Sequence, residues 1–573
     1  MALGCGRSKP PGSDGGGDAP VLDGSREASG GDEGDAGLAT DASRDGDTEP
    51  APALRPPPPV VDCAPYQAAP SCAIHVVRGG AQDGAGLTWA TALGDVQAAL
   101  DRAICGCAVW IAAGTYTPTR LLEPSDGDPR NTSFYLWPGV TAYGGFAGGE
   151  ASVDARPATG SETILSGDLG QPGVRGDNAY HVVVGADGAV LDGLTIRDGE
   201  ASGFLAGQGV GGGVFIFDAD VTLRRVRVTD NTGATGAGVW NDSRSSPTLS
   251  DCAVERNVAD VGGGVYTSGP AATIERTVFR ENVGVFVGGG LAHQGDALTV
   301  RDSTFIHNRG DYGGALAFSK GAARVERTWF ESNTSGLFGG VLIVRTGASA
   351  RVESSVLTAN GSVGHGGAVT VWTAALELAG VTLVGNHAAF GGGFVVKDGA
   401  RLTIGDSVVW RNSDDAGKTF FFEGEDNHVD VSTSSFPDEV ASTASFAGDP
   451  LLGNVPLDTR FTEAKATEAM LAIATADTYF DVGDRVELGD DGVERRVTAV
   501  GAHSLTIAPP LAAASPRFLR VDRWAADAPN LTLDLTPRAG SPLIDAARPT
   551  APATDVRGNA RVGAPDIGAL ERR

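Results

Sequence analysis

An asparagine that returns about every 26 residues limits the possible folds of this chain more than any other feature. Successive members are separated by 26, 25, 26, 25, 27, 26 and 26 residues, and a glycine cluster follows each of the first seven. Self-similarity at a fixed period predicts an architecture in which each repeat is one structural unit. The members of this asparagine ladder are Asn231, Asn257, Asn282, Asn308, Asn333, Asn360, Asn386 and Asn412.

Apolar positions within each repeat predict short strands. An aliphatic residue stands eight positions before each asparagine and an apolar residue stands three before it, while the position five before holds valine or a small residue. Apolar and polar residues alternate on both sides of a point where the alternation shifts by one residue, which predicts two strands joined by a bend. We predict a third strand after the glycines. The aliphatic column consists of Leu223, Leu249, Ile274, Val300, Val325, Val352, Leu378 and Ile404.

Three strands in about 26 residues leave no room for a helical crossover or for the four antiparallel strands of a propeller blade. We therefore predict an all-β fold, a right-handed single-stranded parallel β-helix with one repeat per coil. The hand follows from the rule for parallel crossovers. Equivalent residues should stack about 4.8 Å apart, so that asparagine amides at the bend bond to the coils above and below.

Composition along the chain predicts five segments. Residues 1–60 are rich in Gly, Asp and Pro and should form a disordered tether. Residues 61–178 should form an N-terminal cap, with an amphipathic helix over 89–104, and the first coils. The β-helix repeats occupy 179–455, a small inserted β-barrel-like module occupies 456–530, and a C-terminal segment occupies 531–573.

Four of the six cysteines, Cys63, Cys72, Cys105 and Cys107, lie within 45 residues of one another. This clustering predicts one or two disulfides formed in an oxidising compartment. A zinc site is the alternative, although the single residue between Cys105 and Cys107 is shorter than the usual spacer. Cys252 falls inside a repeat and should be a packing residue.

The start of the chain, Met1-Ala2-Leu3-Gly4-Cys5, places a small residue before a cysteine and a polar tether after it. This arrangement resembles the lipobox of bacterial lipoproteins, although no charged or apolar leader precedes Cys5. Either the natural start lies upstream and Cys5 carries lipid, or Cys5 has no such role; we expect the first. The only membrane attachment would then be an N-terminal lipid anchor.

The chain is acidic, with 71 Asp and Glu against 44 Lys and Arg and a formal net charge of -27. This balance argues against a nucleic-acid partner, since such binding depends on Lys and Arg that neutralise phosphates. It is typical of a soluble protein outside the cell. No run of 18 apolar residues is present, so the sequence predicts no transmembrane helix.

Several motifs resemble those of bacterial β-helix surface proteins. The resemblance implies a protein that is displayed at the cell surface, anchored to the outer membrane or released. The Gly-Gly-Gly and Phe-x-x-Asn coils are similar to those of polymorphic outer-membrane proteins, and the tail is similar to the choice-of-anchor Q domain. The opening motifs are Gly114–Thr119, Tyr143–Glu150 and Leu165–Asp168, and the tail motifs are Gly540–Asp545, Thr554–Gly558 and Asp566–Glu571.

Six residues before the asparagines, charge alternates through Arg225, Asp251, Arg276, Asp302 and Arg327. A catalytic cluster concentrates charge of one sign, whereas alternation neutralises it. We therefore expect a ladder of solvated ion pairs at the bend, each contributing little to stability.

Two positions after the glycines, Phe215, Trp240 and Tyr266 lie on successive coils. Strand alternation should turn these rings outward as an aromatic strip that contacts a sugar or a protein partner, unless a loop covers them. His365 shares a repeat position with Phe338, and we expect it to stack there rather than act in catalysis.

These patterns favour a non-enzymatic cell-surface or secreted scaffold, adhesin-like or in contact with a glycan or another surface protein. The alternative is a polysaccharide lyase or glycoside hydrolase, which would place paired carboxylates, or calcium with a basic residue, on one outer face. The repeat positions supply no catalytic or metal-ligating group. Acidic clusters such as 423–430 show no ligand spacing, so a calcium cofactor has no support.

Overall fold

The computed structural model describes residues 56, 58–67, 72–122, 127–205, 207–436, 442–443, 445, 449–462, 469–473, 479–489, 491–511 and 519–572. The expected lipid site at Cys5 and nearly all of the expected tether lie outside the described residues.

A right-handed parallel β-helix forms the body of the described chain, which confirms the predicted fold class. Each regular coil contributes a strand to each of four parallel sheets, whereas the sequence predicted three strands per coil. The additional strand lies between the asparagine and the glycines, as at Thr232–Gly233 and Val258–Val261. Its residues do not alternate between apolar and polar, so the sequence carries no period-two signal there.

Sheets 1 and 2 hold the two strands that precede each asparagine. Sheet 1 consists of Ala73–Ala81, Ala108–Ala112, Thr141–Phe146, Val190–Asp192, Thr222–Arg224, Thr248–Ser250, Ala272–Glu275, Ala297–Arg301, Ala322–Glu326, Ser349–Glu353, Ala375–Ala379, Arg401–Gly405, His428–Ser432 and Ser442–Thr443. Sheet 2 consists of Gly114–Tyr116, Thr163–Ser166, Thr195–Arg197, Arg227–Thr229, Ala253–Glu255, Val278–Arg280, Thr304–Ile306, Trp329–Glu331, Val356–Thr358, Thr382–Val384 and Val408–Trp410.

Sheets 3 and 4 lie on either side of the glycine corner. Sheet 3 consists of Glu200–Ala201, Thr232–Gly233, Val258–Val261, Val283–Val287, Arg309–Tyr312, Thr334–Phe338, Gly361–His365, His387–Phe390 and Ser413–Asp414. Sheet 4 consists of Arg120–Leu121, Thr132–Tyr135, Val183–Val184, Val214–Ile216, Val239–Asn241, Val265–Thr267, Leu291–His293, Leu316–Phe318, Leu342–Arg345, Val369–Trp372, Phe394–Lys397 and Phe420–Glu423.

The asparagine ladder runs through the interior as a chain of buried amides. Asn308 Nδ2 donates to Asn333 Oδ1 at 3.0 Å and to the carbonyl of Phe279 at 2.9 Å. Its Oδ1 accepts from the backbone nitrogen and from Nδ2 of Asn282, at 3.1 and 3.0 Å. The left-handed conformation falls on the residue before each asparagine, as at Glu281 (φ 56°) and His307 (φ 56°). The asparagine itself therefore stabilises the corner through the hydrogen bonds of its side chain, and the left-handed backbone conformation belongs to the residue before it.

The aliphatic column fills the interior next to this ladder. Leu223, Ile274, Val325 and Ile404 are each at most 1% exposed, and Val325 pairs in register with Val300 and Val352 of the neighbouring coils. Burial of this continuous column supplies the apolar core that a single coil could not form alone.

The cap contains the short helices Ala64–Gln67 and Val96–Ala103. Helix Val96–Ala103 begins at Asp95, whose side chain accepts from the backbone nitrogen of Ala98, and it packs against the first two strands of sheet 1. It is shorter than the predicted helix over 89–104, and Ile104, the last residue of the predicted range, lies after the helix and is 39% exposed. Short 3₁₀ turns occupy Trp89–Thr91, Pro129–Asn131, Val153–Ala155 and Arg175–Asp177.

Two disulfides, Cys63–Cys105 and Cys72–Cys107, fasten the start of the described body to the end of this helix. They confirm the disulfide interpretation of these four cysteines over the zinc alternative. Cys252 is free and buried, and burial raises the pKa of its thiol to about 12. It is a packing residue with no thiolate at neutral pH.

The described residues of the inserted module form a six-stranded antiparallel sheet around its own small core, which includes Leu471, Val486 and Val521. In spatial order its strands are Asp458–Thr462, Leu519–Trp524, Arg485–Leu488, Arg495–Gly501, Ser504–Ala508 and Met470–Ala472. The strands Leu452–Asn454 and Asp534–Pro537 pair where the chain leaves and rejoins the β-helix.

Candidate functional site

The three rings expected on the surface are buried, which corrects the sequence prediction. Phe215, Trp240 and Tyr266 are 1%, 2% and 4% exposed, although they do pair in register on successive strands of sheet 4. Phe215 and Trp240 stack with ring centroids 5.0 Å apart.

The glycine corner explains this burial. A Cβ added at Gly236 would lie 2.9 Å from the Cβ of Trp240 and 3.0 Å from that of Tyr266. The chain between sheets 3 and 4 therefore folds back directly over the rings, and the absence of a side chain at Gly236 makes this close approach possible. The strip is a packed layer between the two sheets, unavailable to a ligand.

Partly exposed rings line a different part of the same corner, on the later coils. Phe338, His365 and Phe390 form a column on sheet 3, with centroid separations of 4.8 and 4.9 Å. Trp372 and Phe421 of sheet 4 face this column, 5.7 Å from Phe338 and 5.4 Å from Phe390. We call the space between the two sets of rings the aromatic groove.

The stack of rings ends at Phe390, which gives this ring a special position. His365 is stacked between Phe338 and Phe390, and the other face of Phe338 stacks on Tyr312 of the preceding coil. Phe390 stacks on His365, whereas the next strand of sheet 3, Ser413–Asp414, supplies no ring. Phe390 is 47% exposed.

Charged side chains border the groove on sheet 4. Lys397 Nζ lies 4.4 Å from the ring centroid of Trp372 and donates to Glu423 Oε1 at 2.8 Å. Burial lowers the pKa of His365, so this ring is neutral at pH 7 and packs as an aromatic group. The groove thus combines apolar rings with one cation and one carboxylate, which suits a ligand that is both apolar and hydrogen-bonding.

The residues of alternating charge lie at the corner between sheets 1 and 2, where their backbone is in the left-handed conformation. Their side chains form ion pairs between neighbouring coils. Arg276 binds Asp251 at 2.7 Å, and Arg327 binds Asp302 at 2.6 Å. Arg225 departs from this pattern because it binds Asp192 on the preceding coil. Apart from this one residue, the column is an ion-pair ladder.

A buried polar cluster fixes the inserted module to the β-helix. Arg460, 1% exposed, lies 3.3 Å from both Asp415 Oδ1 and His387 Nδ1, and its guanidinium packs 3.4 Å from the ring centroid of Tyr479. Burial, followed by the charge of Arg460, lowers the pKa of His387 to about 3. These contacts hold the two parts together, although Arg460 Nη2 is buried without a hydrogen-bond partner in the described structure.

The tail motifs shape the C-terminal segment and attach it to the β-helix. Asp566 accepts from the backbone nitrogens of Asp545 and Arg572, and Glu571 forms a buried ion pair with Arg561. The segment they shape covers an apolar face of the last coils that includes Val356, Val384 and Val408. The backbone nitrogen of Ala569 donates to Thr382 Oγ1, and Arg548 binds Asp406.

Within the described ranges, no three His, Cys, Asp or Glu side chains converge as metal ligands. In the acidic segment 423–430, Glu423 binds Lys397 and Asp430 lies 3.6 Å from Arg401.

The described residues also include no helix long and apolar enough to span a membrane.

Comparison with known proteins supports the fold. The family described as "Right handed beta helix region" matches residues 174–335 and 212–386. No curated protein matches the chain. The crystal structure of pectate lyase Pel9A is similar over 90% of this chain and 100% of that one, with 13% identity and a TM-score of 0.38. A similarity of this size carries no inference about activity.

Sequence reasoning missed the aromatic groove as a site, although it placed His365 and Phe338 in one column. Trp372 and Phe421 lie on sheet 4, and only the fold of the glycine corner brings them opposite that column. The available signal was the recurrence of an aromatic residue at the His365 position on successive coils.

Proposed function

We propose that this protein is a non-enzymatic extracellular scaffold that binds a glycan in the aromatic groove. The observation that carries the proposal is the terminal ring of the column, Phe390, which is 47% exposed in a groove that the Lys397–Glu423 pair borders at Trp372. An aromatic ring offers its face to the apolar side of a sugar, while a neighbouring cation and carboxylate offer a donor and an acceptor to hydroxyl groups.

The dimensions of the groove are consistent with an oligosaccharide. The column from Phe338 to Phe390 spans three coils, so its two steps of one strand spacing extend about 10 Å. Two or three sugar units would occupy this length. The ligand would lie parallel to the axis of the β-helix.

Two disulfides support an extracellular location, because such bonds persist in oxidising compartments. We propose that the protein acts at a bacterial surface, as its resemblance to polymorphic outer-membrane proteins and to the choice-of-anchor Q domain suggests. A lipid on Cys5 would provide the anchor. Mass spectrometry of Cys5 in the exported natural product tests this part, and an unmodified thiol there would reject it.

A glycan array, followed by calorimetry with the best oligosaccharide, tests the binding proposal. Phe390→Ala should weaken binding about tenfold, since a well-packed aromatic contact is worth over 1 kcal/mol. Phe286→Ala is the matched control, because Phe286 is a 46% exposed ring on sheet 3 outside the groove. Equal losses in both variants, or no oligosaccharide bound, would reject the proposal.

The same oligosaccharides distinguish a binding protein from a carbohydrate-active enzyme. Incubation with the wild-type protein should release no new reducing ends and no unsaturated products. Steady product formation that is abolished by Phe390→Ala would instead establish an enzyme whose substrate lies in the aromatic groove.

A further inference from the structure

Three arginines converge on one buried carboxylate at the first coils. Asp192, 0% exposed, ends a strand of sheet 1, and Arg225 binds it through Nε and Nη2 at 3.1 and 2.5 Å. Arg224 Nε donates to the same carboxylate at 2.5 Å, and Arg156 Nη1 donates at 3.2 Å. One negative charge thus faces three positive charges.

Neighbouring acidic groups reduce this excess positive charge without removing it, since Glu162 lines the same groove and the charges of Arg224 and Arg225 also act on Asp251. Asp251, the next corner residue after Arg225, is held by Arg276 through both carboxylate oxygens, at 2.7 and 2.9 Å. Glu162 lies on the rim and accepts from Thr195 Oγ1. The cluster is therefore a local positive site on a chain whose formal net charge is -27.

The fold builds this cluster with glycines and a loop. Arg156 is fixed by two backbone carbonyls, those of Val153 and Gly144, both at 2.9 Å. A Cβ at Gly193 would lie 2.8 Å from Arg156 Nη1, so the glycine makes room for the guanidinium. The motif at 143–150 and the loop after it thus hold an arginine over Asp192.

A groove of about 410 Å³ opens beside the cluster, lined by Arg156, Arg225, Glu162 and the backbone of Gly144, Gly145 and Gly193. Arg224 and Arg225 are 41% and 49% exposed, so Asp192 orients their guanidinium groups without removing them from solvent. Guanidinium groups fixed in this way bind carboxylate or sulfate oxygens with little loss of side-chain entropy.

We propose that this arginine groove binds an oxyanion, the carboxylate or sulfate of an acidic saccharide. The proposal goes beyond the aromatic groove and does not depend on it, since the two sites lie at opposite ends of the repeat array. A saccharide is the carrier that fits best because the groove is open and its wall of glycines lets a chain lie close to the backbone.

Calorimetry with three tetrasaccharides tests the proposal: hyaluronan for carboxylate alone, chondroitin sulfate for carboxylate together with sulfate, and maltotetraose as the neutral reference. The wild type should bind at least one of the two charged ligands, and the pair shows which anion is preferred. Arg225→Gln should weaken that binding about tenfold, the usual effect of losing one charge-assisted hydrogen bond.

Arg276→Gln is the matched control, because Arg276 occupies the same corner position and is equally exposed but is fully engaged by Asp251 and Glu275. It should change affinity less than twofold. Unchanged thermal unfolding of both variants shows that the coils are intact. Equal losses in the two variants, failure to bind either charged ligand, or equal affinity for maltotetraose would overturn the proposal.

If Arg225→Gln unfolds, Arg224→Gln provides the second variant, since Arg224 binds the same carboxylate of Asp192 and its only other side-chain hydrogen bond within the described residues is to Tyr143. Phe390→Ala separates the two sites. It should leave binding of the charged tetrasaccharide unchanged, and a tenfold loss there would place that ligand in the aromatic groove and overturn the assignment to the arginines.

Discussion

Replacing Asn308 with alanine tests how much the asparagine ladder stabilises the solenoid. The side chain makes four hydrogen bonds, two as donor and two as acceptor, and it is fully buried. Alanine removes all four, and the backbone nitrogen of Asn282 is left buried without its acceptor. A buried donor without a partner costs about 1–3 kcal/mol, and the other lost bonds contribute about 1 kcal/mol each. Since these contributions overlap, we expect Asn308→Ala to lower the free energy of unfolding by about 2–4 kcal/mol.

Urea unfolding followed by circular dichroism measures this loss, and hydrogen exchange locates it. Because each repeat contacts only its neighbours, exchange should accelerate mainly in the coils of Asn282, Asn308 and Asn333. Arg327→Gln serves as the control, since it breaks a partly exposed ion pair with Asp302 and should cost less than about 1 kcal/mol. Equal losses in the two variants, or acceleration spread evenly over all coils, would refute the reasoning.

Three further predictions concern the interior. Trp240→Ala should cost about 3–5 kcal/mol in urea unfolding, whereas Trp240→Phe should cost less, because the buried indole nitrogen has no hydrogen-bond partner in the described structure. Val325→Ala should cost on the order of 1–3 kcal/mol through lost burial; a neutral effect would contradict the assigned register. Burial lowers the pKa of His181 and His293 to about 4 and that of His387 to about 3, so the unfolded chain binds protons that the folded chain does not. The free energy of unfolding should therefore be independent of these histidines above pH 6.5 and should fall between pH 6.5 and pH 4, by about 1.4 kcal/mol per pH unit for each histidine. His293→Leu should make this dependence on pH less steep.

The period of the sequence was sufficient to predict the coil, because every coil repeats the same local requirements. An apolar residue at the Val325 position and an amide at the Asn308 position both follow from stacking at one strand spacing. The disulfides were predictable as a group, though their pairing was not, since four cysteines allow three connectivities.

Burial at the glycine corner could not be predicted in the same way. Alternation correctly separates Trp240 from its neighbour Val239, but it does not show that sheet 3 folds back over the outer side of sheet 4. The arginine groove was hidden for another reason: Arg156 lies on a loop between two strands, and Asp192, although in register with Arg224, lies on a coil that precedes the first ladder asparagine. The sequence therefore gives no sign that these two side chains are in contact.

Both proposed sites lie where the regular pattern of side chains along a column stops, and the physics of a solenoid accounts for this. Within the array, each side chain has as its neighbour the same position on the next coil, so ring faces cover one another and opposite charges pair. Arg276 is paired with Asp251 in this way, and the ring of Phe338 is stacked on that of His365. Where the pattern stops, the equivalent position on the neighbouring coil carries a different side chain, and interaction capacity remains for a ligand. Phe390 keeps a ring exposed at the end of its column, and Arg225 shares a single carboxylate with Arg156 and Arg224.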